Sequence, residues 1–349
     1  MKKKLKPIVE MLRNLNVDES TEVMMILTGS KPETVIDVPI KSFKELILKR
    51  KATSLGDRPY CPHCQSYRVV KNGNKDGRQR FICKDCKHTY TWTNNTILYG
   101  MKISYDTLLK YCDCMMHKMT IRQCATCCRI SKSSSFDWRH KILDALQNMH
   151  NEVVLNGIIE SDETYFGLSF KGCKNPDILT RLPHKRGGSY HVRGISDELV
   201  CVPCSVNLNG LSIGRITNLG RPTTDELSGF IKGRIEEGSF FVTDSLNSYD
   251  QIAEDNNLTH IKIESGKHKN PMFNIQKINS YHSELKRMID NIFKGVATKY
   301  LNNYVVYHNF VNIAKESMVE KAQILKEFVC STLCNSRGYL IKFRKAIPV

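Results

Sequence analysis

Gly157-Ile158-Ile159-Glu160-Ser161-Asp162-Glu163-Thr164-Tyr165-Phe166 is the stretch on which the fold turns. Val153, Val154, Leu155, Ile158 and Ile159 lead up to its acids, and an apolar, β-branched run of this kind predicts a buried strand. A carboxylate carried into a core costs free energy unless it is paired or holds a metal, so Asp162 needs a partner. Ser239-Phe240-Phe241-Val242-Thr243-Asp244-Ser245 repeats the pattern, a short apolar strand ending in one acid. Two strands that each deliver an acid to one place could build a divalent-cation site. Taken singly, each Asp could as well be a turn former at a strand end.

Asn274 to Ile292 follows, reading NIQKINSYHSELKRMIDNI. Ile278, Tyr281, Leu285, Met288 and Ile292 recur at helical spacing and predict one apolar face. Asn279, His282, Ser283 and Lys286 form another face, because seven residues make nearly two turns. An amide, an imidazole and an ammonium would then point together. A solvated helix face is the alternative, and the two aspartates weigh against it. Glu163, next to Asp162, points to the opposite side if the strand continues.

Upstream, Cys61-Pro62-His63-Cys64 and Cys83-Lys84-Asp85-Cys86 enclose eighteen residues, the spacing of a four-cysteine structural zinc site. The basic, turn-rich segment between them, with Asn72-Gly73 and Asp76-Gly77, suits a small β ribbon. So short a segment buries little core, so the metal would supply on the order of 10 kcal/mol of its folding energy. Four thiolates leave no open position for catalysis. His63 and His88 are spare donors that two complete Cys pairs make unnecessary. Cys201-Val202-Pro203-Cys204 lacks a second pair and reads as buried strand cysteines.

Between ribbon and strands, Ser104 to Leu143 reads as helices: one from Ser104, one over Met119 to Ile130, and one opened by Ser131-Lys132-Ser133-Ser134-Ser135. A tight turn near Arg129 to Lys132 gives the outline of a helix-turn-helix, in which Ser133, Ser134, Arg139 and Lys141 would face DNA. An ordinary αα-hairpin with a basic exposed face fits the same pattern.

Lys and Arg exceed Asp and Glu by 17, with a pI near 9.2, the electrostatic footprint of a nucleic-acid binder. Fourteen cysteines without a signal-peptide pattern point to an intracellular chain with metal ligands and reduced thiols. No apolar run reaches membrane-spanning length.

The ordered combination resembles bacterial insertion-sequence transposases of the zinc-ribbon, DDE-type, ISXO2-like family. The ribbon and helices are followed by I-E-S-D-E-T-Y-F, F-V-T-D-S, then N-S-Y-H-S-E-L-K with G-V-A-T-K-Y-L-N-N-Y behind it, over roughly residues 59 to 315. The resemblance implies a multidomain α/β chain whose catalytic domain is RNase H-like. Its parts would be a lead-in (1–58), a zinc ribbon (59–95), a helical DNA-binding region (100–150), the catalytic domain (152–320) and a C-terminal tail (321–349). It further implies Asp162 and Asp244 as the first two catalytic acids, Asn279 as the third metal-site residue and Lys286 as a phosphate contact. Asn279 departs from the Glu of most DDE enzymes and leaves His282 open as a sharer of that role. The implied cofactors are structural Zn²⁺ and catalytic Mg²⁺ or Mn²⁺. The implied reaction is cleavage and strand transfer of double-stranded DNA at terminal inverted repeats, by a homo-oligomer on DNA in the cytoplasm, at the nucleoid, without a membrane partner. An inactive, transposase-derived DNA-binding regulator and a metal-dependent nuclease are the rival readings.

Overall fold

A computed structural model describes residues 60–75, 78–91, 94, 96–99, 104–173, 177, 179, 194–244, 246–264, 272–312, 318–331, 334, 341 and 344–347. The expected lead-in and most of the basic loop between Lys171 and Tyr190 lie outside them. The chain divides into two compact units, one built mainly on residues 150–312 and the other on 60–149 with 318–344.

The second unit opens with three strands, β1 (Val69–Lys75), β2 (Arg78–Cys83) and β3 (Thr89–Thr91), in one antiparallel sheet. Among the described residues the core of this sheet is Cys61, Cys83 and Tyr90, with Val69, Phe81 and Cys86 packed against them. That is too little apolar area to hold a fold without a staple.

Helices α1 (Tyr105–Met116), α2 (Ile121–Cys128) and α3 (Lys132–His150) follow. Their starts are written locally. Ser104 accepts the Thr107 amide, Thr120 and Gln123 form a capping box, and Ser131 Oγ accepts the Ser134 amide at 3.0 Å. Arg129 ends α2 in the left-handed region (φ 53°), so only Arg129, Ile130 and Ser131 separate the two helices.

The other unit holds a five-stranded sheet of β4 (Ile158–Gly167), β5 (Leu199–Asn207), β6 (Ser212–Gly214), β7 (Phe240–Thr243) and β8 (Thr259–Lys262). The order is β6-β5-β4-β7-β8, antiparallel from β6 to β4 and parallel from β4 to β8. The apolar run before Asp162 is not all strand: pairing starts at Ile158, and Leu155 makes a single bridge to Ile235. Gly157 (φ +76°) provides the bend that turns the chain into β4. Cys201 and Cys204 are buried on β5, as their apolar context predicts.

Helix α4 (Thr224–Ile231) packs with α5 (Ser248–Asp255), which crosses between the parallel strands β7 and β8. Helix α6 (Gln276–Lys286) runs into a π-helical turn (Arg287–Ile292), and α7 (Thr298–Val311) follows. α6 packs on β4 and β5, α7 on β6. There Gly214 is required by close approach: a Cβ would lie 2.9 Å from Val305 Cγ1 and 3.2 Å from Cys204 Sγ. Ile278, Tyr281, Leu285 and Met288 are buried as their spacing predicts, but Ile289, not Ile292, continues the stripe. The wider π turn shifts the phase of the face.

Residues 321–349, expected as a tail, contain most of α8 (Met318–Ser331), which packs on α1 through Lys326 and Asp113 at 2.6 Å, and Arg344 binds both oxygens of Asp144 on α3. No helix among the described residues is long and apolar enough to cross a membrane.

Candidate active site and thiolate centre

Side chains alternate along β4, so Glu160 and Asp162 share one face while Ser161 and Glu163 share the other. The opposite face is closed by α5, where Tyr249 donates its hydroxyl to Glu163 Oε1. The Asp162 face is covered by α6, whose Ile278 amide donates to Glu160 Oε2 at 2.9 Å.

Asp244 reaches the same place through strand register. In the parallel β4–β7 pair, Ile158 faces Phe240, Ile159 faces Phe241 and Glu160 faces Val242. Two residues further along both chains stand Asp162 and Asp244. Neighbouring strands lie about 4.8 Å apart, so the charge of Asp244 is felt at Asp162. Burial, then Asp244, raises the Asp162 pKa to about 6, against the pull of the Glu163 amide and Lys286. Asp244 also forms the turn that its sequence context allows, with Oδ1 accepting the Leu246 amide at 3.0 Å.

α6 supplies the third side. His282 is buried with Nδ1 3.8 Å from Asp162 Oδ2. Burial and the Lys286 ammonium depress its pKa to about 4, so the imidazole is neutral at pH 7. Its Nε2 is buried without a hydrogen-bond partner among the described residues. Asn279 stands one turn before His282 on the same helix face and is half-buried, whereas Ser283 and Lys286 are exposed. The structure thus brings Asp162, Asp244, His282 and the charge of Lys286 together, with Asn279 on the helix face that adjoins them.

A hard divalent cation fits these donors. Two neighbouring carboxylates are relieved by a cation, and an amide oxygen adds a neutral ligand. Glu163 is held on the far face by Tyr249, and burial, with the charges of Asp162 and Asp244 adding to it, raises its pKa to about 7.

In the ribbon, the sulfurs of Cys61, Cys64, Cys83 and Cys86 lie within 4.8 Å of one another. Cys61 Sγ is 3.5 Å from Cys86 Sγ and Cys64 Sγ is 3.6 Å from Cys83 Sγ. These spacings are far longer than a disulfide and close to the ~3.8 Å edge of a tetrahedron with Zn–S bonds of about 2.3 Å. The two knuckles have the same backbone. Gln65 and Lys87 donate to the carbonyls of Cys61 and Cys83 at 2.8 and 3.0 Å, and both sit in the left-handed region (φ 59° and 62°). Amides of Cys86 and Asp85 pull the Cys83 thiol down to about 6, while burial and the neighbouring sulfurs push Cys86 up to about 12, so without a cation the four thiols do not ionise together. His63 and His88 stack on each other (4.2 Å), outside the four-thiol group.

The expected DNA-facing residues divide. Ser133 is exposed, while Ser134 and Lys141 are half-buried. Arg139 is fully buried, and the expectation that it faces DNA is corrected: Nη2 donates to Met119 O at 2.6 Å and lies 3.3 Å from Cys124 Sγ. It stands four residues from buried Ser135 and three from buried Ile142, so helical periodicity already assigned it to the inner stripe.

Residues 154–310 match the ISXO2-like transposase domain. Among curated proteins the chain is 24% identical over 277 residues to an uncharacterized protein in transposable element ISH50 of Halobacterium salinarum, covering 77% of this chain and 91% of that one. Among solved structures it is similar to a chain of the pre-cleavage Mos1 transpososome, with 10% identity, 67% and 80% coverage and a TM-score of 0.26. The last likeness is too loose to bear on the fold.

Proposed function

We propose that this chain, whose residues 154–310 match the ISXO2-like transposase domain, is a transposase of that insertion-sequence family and cuts and joins DNA at Asp162, Asp244 and Asn279. The observation that carries this is the parallel β4–β7 register, which sets Asp244 beside Asp162 under the α6 face that bears Asn279 and His282. The strand order, antiparallel on one side of β4 and parallel on the other, supports an RNase H-like reading of the unit.

Asp162, Asp244 and Asn279 would hold Mg²⁺ or Mn²⁺, which polarises a phosphodiester and makes an attacking hydroxyl more acidic. Lys286, exposed at the end of α6, contacts a substrate phosphate as a point charge. Neutral His282, with Nδ1 3.8 Å from Asp162 Oδ2, adds no positive charge to repel the cation. Asn279 supplies an oxygen without charge, so proton transfer falls to other groups. Cys61, Cys64, Cys83 and Cys86 hold Zn²⁺ and fold the ribbon. The ribbon and α3 grip the terminal inverted repeats and α3 presents Ser133, Ser134 and Lys141, phosphates supplying affinity and base edges the register. A homo-oligomer would synapse the two ends.

The test is joining of a pre-cleaved terminal-repeat oligonucleotide into plasmid DNA. Joining is expected with Mg²⁺ and not with EDTA, and is lost in Asp244→Asn while repeat binding persists. Specific binding without joining would favour the regulatory reading, and joining retained in Asp244→Asn would overturn the site.

A further inference from the structure

Helix α6 begins without a cap of its own. Its N-cap residue is Ile275, whose side chain offers no acceptor, so the first amides of the helix need partners from elsewhere. Asn274 Oδ1 takes the Gln276 amide at 3.0 Å, and the Asn279 amide already reaches Ile275 O at 3.2 Å. The Ile278 amide goes to Glu160 Oε2 at 2.9 Å, and Glu160 also draws the Lys277 amide. Glu160 is 3% exposed and lies 118 positions away in sequence, on β4.

The placement matters because of what stands on either side. Glu160 shares a strand face with Asp162, two residues on, and Ile278 immediately precedes Asn279. One buried carboxylate therefore ties the strand that carries the first acid to the helix that carries the third ligand. A carboxylate at a helix N-terminus is also matched to the helix dipole.

We propose that Glu160 is a positioning residue of the cation site: acting as the cap of α6 from the neighbouring strand, it fixes Asn279 and His282 against Asp162. This rests on the cation-site reading above. It assigns Glu160 no contact with metal or DNA. Its carboxylate is occupied by helix amides, and its effect passes through the position of Asn279.

The test uses the full-length, zinc-loaded chain with Mn²⁺ as probe, read by electron paramagnetic resonance, together with deuterium uptake over residues 276–282. Glu160→Met keeps length and apolar bulk but offers no acceptor. Glu160→Gln keeps an amide oxygen for Ile278. The Met variant is expected to weaken Mn²⁺ binding about tenfold or more and to speed exchange at the start of α6, with zinc content and terminal-repeat binding unchanged. The Gln variant should recover Mn²⁺ affinity to within about threefold of wild type. If Glu160→Met fails to fold, Glu160→Ser, too short to reach the helix, takes its place. A folded Met or Ser variant that binds Mn²⁺ within twofold of wild type overturns the inference. So does a loss that Gln does not recover, which would mark a role for charge alone. Mn²⁺ binding indifferent to Asp162→Asn and Asp244→Asn would instead sink the cation-site reading, while the exchange data would still report whether Glu160 caps α6.

Discussion

Burial and Asp244 hold Asp162 near pKa 6, against an ordinary value of 3.8, so ionising it in the folded, metal-free protein costs free energy. Below about pH 4 both folded and unfolded chains carry the proton, and neither is favoured. Between about 4 and 6 the folded chain holds it more tightly, so stability falls as pH rises through that window and stays lower above it, by up to about 3 kcal/mol. Asp162→Asn removes the charge. It should raise the Tm of the metal-free protein by several degrees at pH 7.5 and by almost nothing at pH 4, while abolishing joining. Equal melting of the two proteins at pH 7.5, measured by calorimetry in EDTA, would contradict the crowded pair. Single residues were unevenly legible in the sequence. Asp162 and Asp244 could be picked out because each ends an apolar, β-branched run, a local signal. Glu160 could not, because its partner amide lies 118 positions away on a helix whose docking no local pattern records.

At the level of the element, caps and knuckles were readable and phases were not. The two cysteine knuckles put Gln65 and Lys87 into left-handed backbone, a conformation glycine adopts without Cβ strain. Gln65→Gly and Lys87→Gly should hold zinc as tightly as wild type or better, and a β-branched Lys87→Val should lose it several-fold sooner in a chelator competition. Equal zinc release by the Gly and Val variants would mean the knuckle geometry is wrong. In the α2–α3 pair, Ser131 and Thr120 announce their caps, yet the basic character of Arg139 suggests an outward face while its spacing from Ser135 and Ile142 puts it inside. Arg139→Gln should therefore lower the Tm, leaving the salt dependence of DNA binding by the folded protein unchanged. Lys132→Ala, at the exposed start of α3, should reduce the slope of log K against log salt by about one. The reverse pattern would restore Arg139 to the DNA face. The π turn after Lys286 was unreadable because its residues keep an ordinary helical composition and only the register of the burial changes.

For the whole molecule, the order of ribbon, helices and mixed sheet follows from the sequence, since metal spacing, caps and strand periodicity are each written within a few residues. The discontinuous unit does not: α8 joins α1, and Arg344 pairs with Asp144 across 200 positions, where loop closure leaves no local trace. The central claim is likewise non-local, that chain segments around 162, 244 and 279 meet at one cation. Fe²⁺ substituted for Mg²⁺ in the zinc-loaded protein, with peroxide and ascorbate, generates hydroxyl radicals at the ion that cleave nearby backbone. Cuts should cluster in three places, near Asp162, near Asp244 and near Asn279 to His282, and disappear together in Asp244→Asn. Cuts confined to one of these segments, or unchanged in Asp244→Asn, would contradict a shared site.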